Sequence, residues 1–289
     1  MDVTMLADVA PRPRRVAVGE FDGVHLGHRK VIAGSDTVLT FEPHPLAVTR
    51  PEATPRLLTT LDTKAELIAS LGVSELVVIP FDETFAAQSA QAFIDDVLLG
   101  RLGATHVSVG ENFRFGHKAS GDTALLAADG RFATRVVRLV EADGEIVSSS
   151  HIRGLILAGD VGAAARFLGA PFIMRGEVVP GDQRGRTLGF PTANLVPDEH
   201  LVCPGHGVYA ARTPDACAAV SIGVRPTFGA GRSLLVEAYL LDRDVDLYGT
   251  ELRLEFLERL RGEKRFDSIE ALIAQMHDDV ARTRAICGC

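Results

Sequence analysis

Apolar positions change their spacing about halfway along this 289-residue chain. In the first half, short β-rich runs alternate with stretches whose apolar residues recur every three or four positions. The runs are TVLTF (37–41), SELVVI (74–79), THVSVG (105–110) and ATRVVRLV (133–140); the helical stretches are LDTKAELIASLG (61–72), AQAFIDDVLLGRLG (90–103) and GDTALLAADG (121–130). Thr63 and Glu66 have the spacing of a capping box, and Gly72 is placed as a stop. This rhythm predicts βαβ units, hence an α/β N-terminal domain with a doubly wound parallel sheet and helices on both faces. Its ligands should gather at the carboxyl ends of the strands. Residues 151–171 predict a linking helix ending near Pro171.

After that segment the period shortens to two. RGEVVPG (175–181), GVYAARTP (207–214), CAAVSIG (217–223), LLVEAYLLD (234–242) and ELRLEFLE (251–258) are short strands separated by Gly and Pro. In the last, Leu252, Leu254 and Phe256 alternate with Glu251, Arg253 and Glu255. The pattern predicts a C-terminal small antiparallel β-barrel. A closing α-helix follows over 267–286, with Asp267 as N-cap, Glu270 at N3 and a core stripe of Ile269, Leu272, Ile273, Met276 and Val280. Two domains are expected, 1–170 and 171–289.

Composition narrows the possibilities. With 30 Lys+Arg against 38 Asp+Glu, the net charge of −8 argues against a general nucleic-acid binder, while leaving anionic nucleotides open. No apolar run approaches a membrane span, and the opening MDVTMLADVAPRPRR lacks the apolar core of a secretory signal, which predicts a cytoplasmic protein. Cys203, Cys217, Cys287 and Cys289 show neither C-x-x-C spacing nor the density of a disulfide scaffold. The terminal Cys-Gly-Cys is expected to be a frayed tail.

Five segments can carry chemistry. VAVGEFDGVHLGHRKV (16–31) sets His25 and His28 on one face just past a strand end, where helix N–H groups favour phosphate. The pair could instead be structural core histidines, or a zinc-binding H-x-x-H, although no third ligand has metal spacing nearby. In TFEPHP (40–45), two prolines hold His44 in the same crevice or simply stiffen a turn. VGENFRFG (109–116) offers Asn112 and two aromatics to a planar ring, or packs as a loop. SSSHIR (148–153) offers helix-start hydroxyls and Arg153, either as caps or as a polyphosphate clamp. GRTLGFPTANL (185–195) is either a plain turn or a site where glycines permit close approach to phosphates and Thr192 with Asn194 can meet a hard cation. Glu237 lies within a strand on the face of Leu235, Tyr239 and Leu241, where partial burial would raise its pKa toward that of a general base; the alternative is an edge-strand carboxylate facing water.

In this order the motifs resemble the bacterial bifunctional riboflavin kinase/FAD synthetase family, from about Val16 to the final helix. The resemblance implies an N-terminal FMN adenylyltransferase of the H-x-G-H nucleotidylyltransferase type and a C-terminal riboflavin kinase. Riboflavin would be phosphorylated to FMN, and FMN then adenylylated to FAD with release of pyrophosphate. It implies ATP-phosphate contacts from Gly19, Phe21, His25, Gly27, His28, Ser149, Ser150 and Arg153, and flavin-side contacts from His44 and Asn112. In the kinase it implies Gly185, Gly189, Thr192 and Asn194 for ATP and magnesium, Glu237 as base, and Arg225, Phe228 and Arg261 on the flavin side. FMN and FAD are then substrate and product, not prosthetic groups. Riboflavin, FMN and ATP are the expected partners of a monomer or weak homo-oligomer, with no nucleic acid or membrane.

The chain departs from the family where only RKVIAGSD (29–36) follows His28 in place of a full helix. That leaves at most two helical turns, at the low edge of a parallel crossover. A kinase with an impaired second module, and a flavin-binding sensor without turnover, stay open at this point.

Overall fold

The computed structural model describes residues 1–181, 189–226, 232–243 and 245–289, without the side chains of 224–226, 232 and 233. The chain forms two compact units, Met1–Ser149 and Ser150–Cys289. The first contains β1 (Asp2–Met5), β2 (Arg14–Val18), α1 (Leu26–Ile32), β3 (Thr37–Glu42), α2 (Pro45–Thr49), α3 (Leu61–Ala69), β4 (Glu75–Pro80) and α4 (Glu83–Ala86). It continues through α5 (Ala90–Ala92), which runs into a π-helical stretch Phe93–Arg101, then β5 (Ala104–Gly110), α6 (Thr123–Ala128), β6 (Ala133–Val137) and a small hairpin of β7 (Glu141–Ala142) and β8 (Glu145–Ile146). The six main strands pair in parallel in the order β1-β4-β3-β2-β5-β6.

Both faces of this sheet are covered, so its strands read as nearly unbroken apolar runs whose alternate residues enter different cores. Val16, Val18, Leu39, Phe41, Val77 and Ile79 pack with Ile94, Val97 and Leu98 on one side. Ala17, Val38, Leu76 and Val78 pack with Val31 and Ile32 of α1 and Ile68 of α3 on the other.

Local details differ from the sequence reading. The opening segment supplies β1, an edge strand paired to β4, which its mixed composition did not announce. Helix α3 is capped by Thr60, whose side chain accepts the Thr63 N–H at 3.2 Å; Thr63 is buried inside the first turn and is not the cap. The expected linking helix is two helices, α7 (Ser149–Ala158) and α8 (Val161–Leu168). Gly159 breaks it at φ +85°, where a Cβ would lie 2.7 Å from the Tyr209 hydroxyl, and Asp160 caps α8 by accepting the Ala163 N–H. Residues 150–170 therefore pack with the second unit.

That unit is a closed antiparallel barrel of β9 (Phe172–Val179), β10 (Ala193–Pro197), β11 (Gly207–Arg212), β12 (Cys217–Pro226), β13 (Arg232–Leu240) and β14 (Glu251–Arg261), finished by α9 (Ile269–Cys287). The strands run β10-β13-β12-β11-β14-β9 around the barrel and close through β9 with β10. Its interior holds Met174, Leu195, Tyr209, Val220, Val236, Leu254 and Phe256. Helix α9 is capped by Ser268, not Asp267: the serine accepts the Ala271 N–H at 3.1 Å. Its apolar stripe is only partly covered, with Ile269 61% exposed, whereas Asp279 and Thr283 are its buried residues.

The C-terminus is not a frayed tail. Cys289 is disulfide-bonded to Cys217 at the start of β12, and the Cys287 thiol donates to the Ala211 carbonyl at 3.2 Å. Spacing along the chain cannot reveal this pairing, because 72 residues separate the two cysteines.

Phe256 is fully buried between Phe172 and Tyr209, with ring centroids 6.1 and 5.5 Å away. Phe256→Ala should destabilise the barrel by about 3–5 kcal/mol. Urea unfolding followed by tyrosine fluorescence should show its midpoint falling, while the unit containing β1–β6 melts as before.

Candidate functional site

The first site is built where β2 ends. The Gly19 N–H donates to Leu39 O at 3.1 Å, keeping β2 joined to β3 up to the turn. The chain then reverses through Phe21 (φ 54°), Gly23 (φ 84°) and Val24 (φ 42°). Left-handed backbone at two bulky residues needs outside support. Asp22 supplies it: its buried carboxylate accepts the N–H groups of Leu58 and Thr59 at 2.7 and 3.2 Å. Gly23 N–H donates to the Thr59 hydroxyl, and the Ser149 hydroxyl donates to Asp22 O at 2.9 Å.

This turn delivers His25 and His28. Their rings stack with centroids 3.5 Å apart and planes at 17°. A Cβ at Gly27 would sit 3.1 Å from the His25 ring, so the glycine between them makes room for the stack. His25 Nδ1 accepts the backbone N–H of His28 at 3.2 Å. In the neutral ring the proton is therefore on Nε2. The same bond uses one of the helix N–H groups that the sequence reading assigned to phosphate. His44 repeats the device: Nδ1 accepts the Leu46 N–H at 3.1 Å, at the start of α2. His28 Nδ1 has no hydrogen-bond partner, and burial, then the neighbouring His25 and Lys64, hold its pKa well below the usual imidazole range. His28 thus meets a ligand as a neutral imidazole.

Motif reading missed Glu20 and Lys64. Lys64, on α3 and only 2% exposed, places its ammonium 3.3 Å from Glu20 Oε1 and 3.4 Å from the Thr40 hydroxyl. Burial raises the Glu20 pKa to about 7 against the opposing pull of Lys64, and its Oε2 has no hydrogen-bond partner. The available signal was Lys64 occupying an apolar-face position of a predicted helix, where a charge must be paired.

Asn112 follows β5 at the same edge of the sheet, its amide oxygen lying over Gly110. Of the neighbouring aromatics, Phe115 is core and Phe113 stacks on it at 5.6 Å, so this segment packs as well as presents Asn112. In the second unit, Arg153 donates to the Ser150 hydroxyl at 3.2 Å within α7.

The second site lies on the outer face of the barrel. Val236 and Ala238 point into the core, so Glu237 stands on the opposite, half-buried face of β13. It is paired in register with Asn194 of β10 on one side and Ser221 of β12 on the other. Asn194 is buried, its side chain lying across Gly181 in a space that any Cβ there would fill. Beside it opens a cleft of about 690 Å³ lined by Thr192, Tyr239, Asp242, Arg243 and Tyr248. A hydroxyl and an amide oxygen one strand from a carboxylate are hard donors that fit magnesium carried by a nucleotide. Gly189 adopts φ +86° just before them. Arg261 is committed to α9, holding the buried Asp279 carboxylate through Nε and Nη2 at 2.8–3.1 Å. Gly185, Phe228 and the side chain of Arg225 lie outside the described residues.

These features define an enzyme of two nucleotide-handling modules, a parallel-sheet unit with an imidazole pair and a barrel unit with a carboxylate beside hard oxygen donors. Residues 8–151 match the FAD synthetase family and residues 168–287 the riboflavin kinase family. Proteins called bifunctional riboflavin kinase/FMN adenylyltransferase are similar throughout: that of Listeria monocytogenes is 39% identical over 93% of this chain and 91% of its own, and that of Escherichia coli K12 is 36% identical over 94% and 92%. A Streptococcus pneumoniae structure titled macrolide-efflux protein superposes with a TM-score of 0.88 at 29% identity, covering 98% of this chain and 99% of that one. Among the described residues no helix is long and apolar enough to cross a membrane. The chain belongs to the bifunctional riboflavin kinase/FMN adenylyltransferase family.

The Glu20–Lys64 pair gives the first site a pH dependence. Below about pH 7 Glu20 is protonated and the Lys64 charge acts on an anion uncompensated; above it the carboxylate offsets that charge. Binding of inorganic pyrophosphate, measured by calorimetry, should weaken roughly threefold from pH 6 to pH 8 beyond the change in Glu20→Gln, a size set by one charge in a partly solvated site. Parallel wild-type and mutant curves would remove Glu20 from this role.

Proposed function

We propose that this chain makes FAD from riboflavin in two ATP-dependent steps, phosphorylation in the barrel unit and adenylylation in the parallel-sheet unit. One observation carries the reading: the FAD synthetase match, 8–151, covers nearly all of the first compact unit, and the riboflavin kinase match, 168–287, falls within the second.

In the kinase step Glu237 accepts the proton of the riboflavin ribityl hydroxyl as that oxygen attacks the γ-phosphorus of ATP, giving FMN and ADP. Its register beside Asn194 supports this role, because neighbouring positions on adjacent strands let a base and a nucleotide-holding group converge on one phosphate. Thr192 and Asn194 would hold magnesium carried by ATP, which would neutralise charge on the phosphates.

In the adenylyl step a phosphate oxygen of FMN attacks the α-phosphorus of a second ATP, and pyrophosphate leaves. His25 donates from Nε2 to phosphate oxygen, its tautomer fixed by the bond to the His28 N–H. His28, stacked on it, donates to oxygens whose charge grows in the transition state. Asn112 and His44 line the flavin side. Dependence on ATP supports a cytoplasmic location. The net charge of −8 supports small-molecule substrates over nucleic acid for a monomer or weak homo-oligomer.

Incubation with riboflavin, ATP and magnesium, followed by chromatography of the flavins, should yield both FMN and FAD. FMN alone would mean that the module with the short α1 is inactive; neither product would overturn the reading. Glu237→Gln should lower FMN formation by about two to four orders of magnitude and leave FAD formation from supplied FMN unchanged. His28→Ala should do the reverse, slowing FAD formation about a hundredfold.

A further inference from the structure

Helix α1 has seven residues, and a helix of that length is unstable on its own. Its last carbonyls would ordinarily lack donors. Here five successive carbonyls are each met. Arg135 on β6 forks to Lys30 O at 3.1 Å and Ala33 O at 2.5 Å. Ser108 on β5, register neighbour of Arg135, donates to Val31 O at 2.7 Å. The Ser35 N–H donates to Ile32 O at 2.9 Å, and Arg15 on β2 donates to Gly34 O at 2.8 Å. Three adjacent strands of the sheet thus grip one end of the helix whose other end carries the stacked histidines.

Of these contacts the Arg135 fork constrains most. Lys30 and Ala33 are three residues apart and so share one helix face. A planar guanidinium spanning both carbonyls fixes the rotation of α1 about its axis as well as its position. His25 and His28 lie only about 10 Å away at 1.5 Å per residue. A rotation or slide at the gripped end is carried to the rings by so short a rod. We propose that Arg135 is a positioning residue for adenylyl transfer, acting through α1 to aim His25 and His28 at the phosphates. This rests on the histidine pair handling phosphate.

The test uses the full-length protein. Arg135 is exposed, so Arg135→Ala should fold. FAD formation from FMN should lose between about ten- and a hundredfold in kcat, the cost of a misplacement near 1 Å, with KM for ATP and FMN little changed. Riboflavin phosphorylation should be unaltered. Guanidinium chloride at concentrations too low to unfold the protein should restore part of the Arg135→Ala rate and none of the His28→Ala rate. Arg135→Lys, which cannot reach both carbonyls in one plane, should fall between wild type and alanine. A near-normal kcat in Arg135→Ala, or a loss appearing equally in KM and insensitive to guanidinium, overturns the proposal. Unimpaired FAD formation by His28→Ala would instead remove the histidine reading on which it stands.

Discussion

The first unit depends on the buried carboxylate of Asp22. Phe21 and Val24 are both buried and both left-handed, a conformation costing roughly 1–3 kcal/mol at each non-glycine residue. Two backbone N–H groups from the 58–59 segment, donated to one Asp22 oxygen, hold that turn closed. A carboxylate without those donors could not remain there. With them, the chain reverses within a few residues of β2, and His25 emerges above the carboxyl end of the sheet. The imidazole stack, the tautomer of His25 and the approach of Lys64 all follow from that reversal.

The crossover after the turn illustrates how a short element can replace internal stability by external contacts. Two turns of helix carry few hydrogen bonds of their own, yet Val31 and Ile32 enter the core under the sheet and the terminal carbonyls find donors on β2, β5 and β6. Length in a βαβ crossover matters chiefly for reach and for satisfying polar ends. Here Gly34, at φ +82°, lets the chain turn back into β3 directly. A helix of two turns can therefore present the pair of rings without a longer crossover.

In the barrel the deciding constraint is register. Asn194, Glu237 and Ser221 form a row across three strands, while Val236 and Ala238 beside them fill the interior. Because side chains alternate strictly, a slip by one residue would bury Glu237 and expose the core. Helix α9 helps to hold the strands that set this register. Asp279 is paired with Arg261 on β14, Arg284 meets Asp242 beside the cleft at 2.7 Å, and Cys289 is bonded to Cys217 on β12. The final helix is fastened mainly through polar and covalent ties, which explains how an apolar stripe so incompletely covered can still close the domain.

Periodicity disclosed the two architectures: runs with alternate residues entering two cores require a covered parallel sheet, and strict alternation with Gly and Pro breaks requires a barrel. Motif spacing also placed His25, His28, Thr192, Asn194 and Glu237, since each sits at a strand end or in a strand whose direction the pattern already gives. It could not place Lys64 beside Glu20, 44 residues away, or Arg135 beside Ala33, 102 residues away, or Cys289 beside Cys217. Nor did it locate the caps at Thr60 and Ser268, where several hydroxyl or carboxylate side chains compete within one turn and packing selects among them. Local sequence determines which elements form and which faces they bury, because those choices are made by neighbours three or four residues apart. Partners for buried charges, orphan carbonyls and thiols are chosen only when distant segments meet, and so belong to the tertiary structure alone.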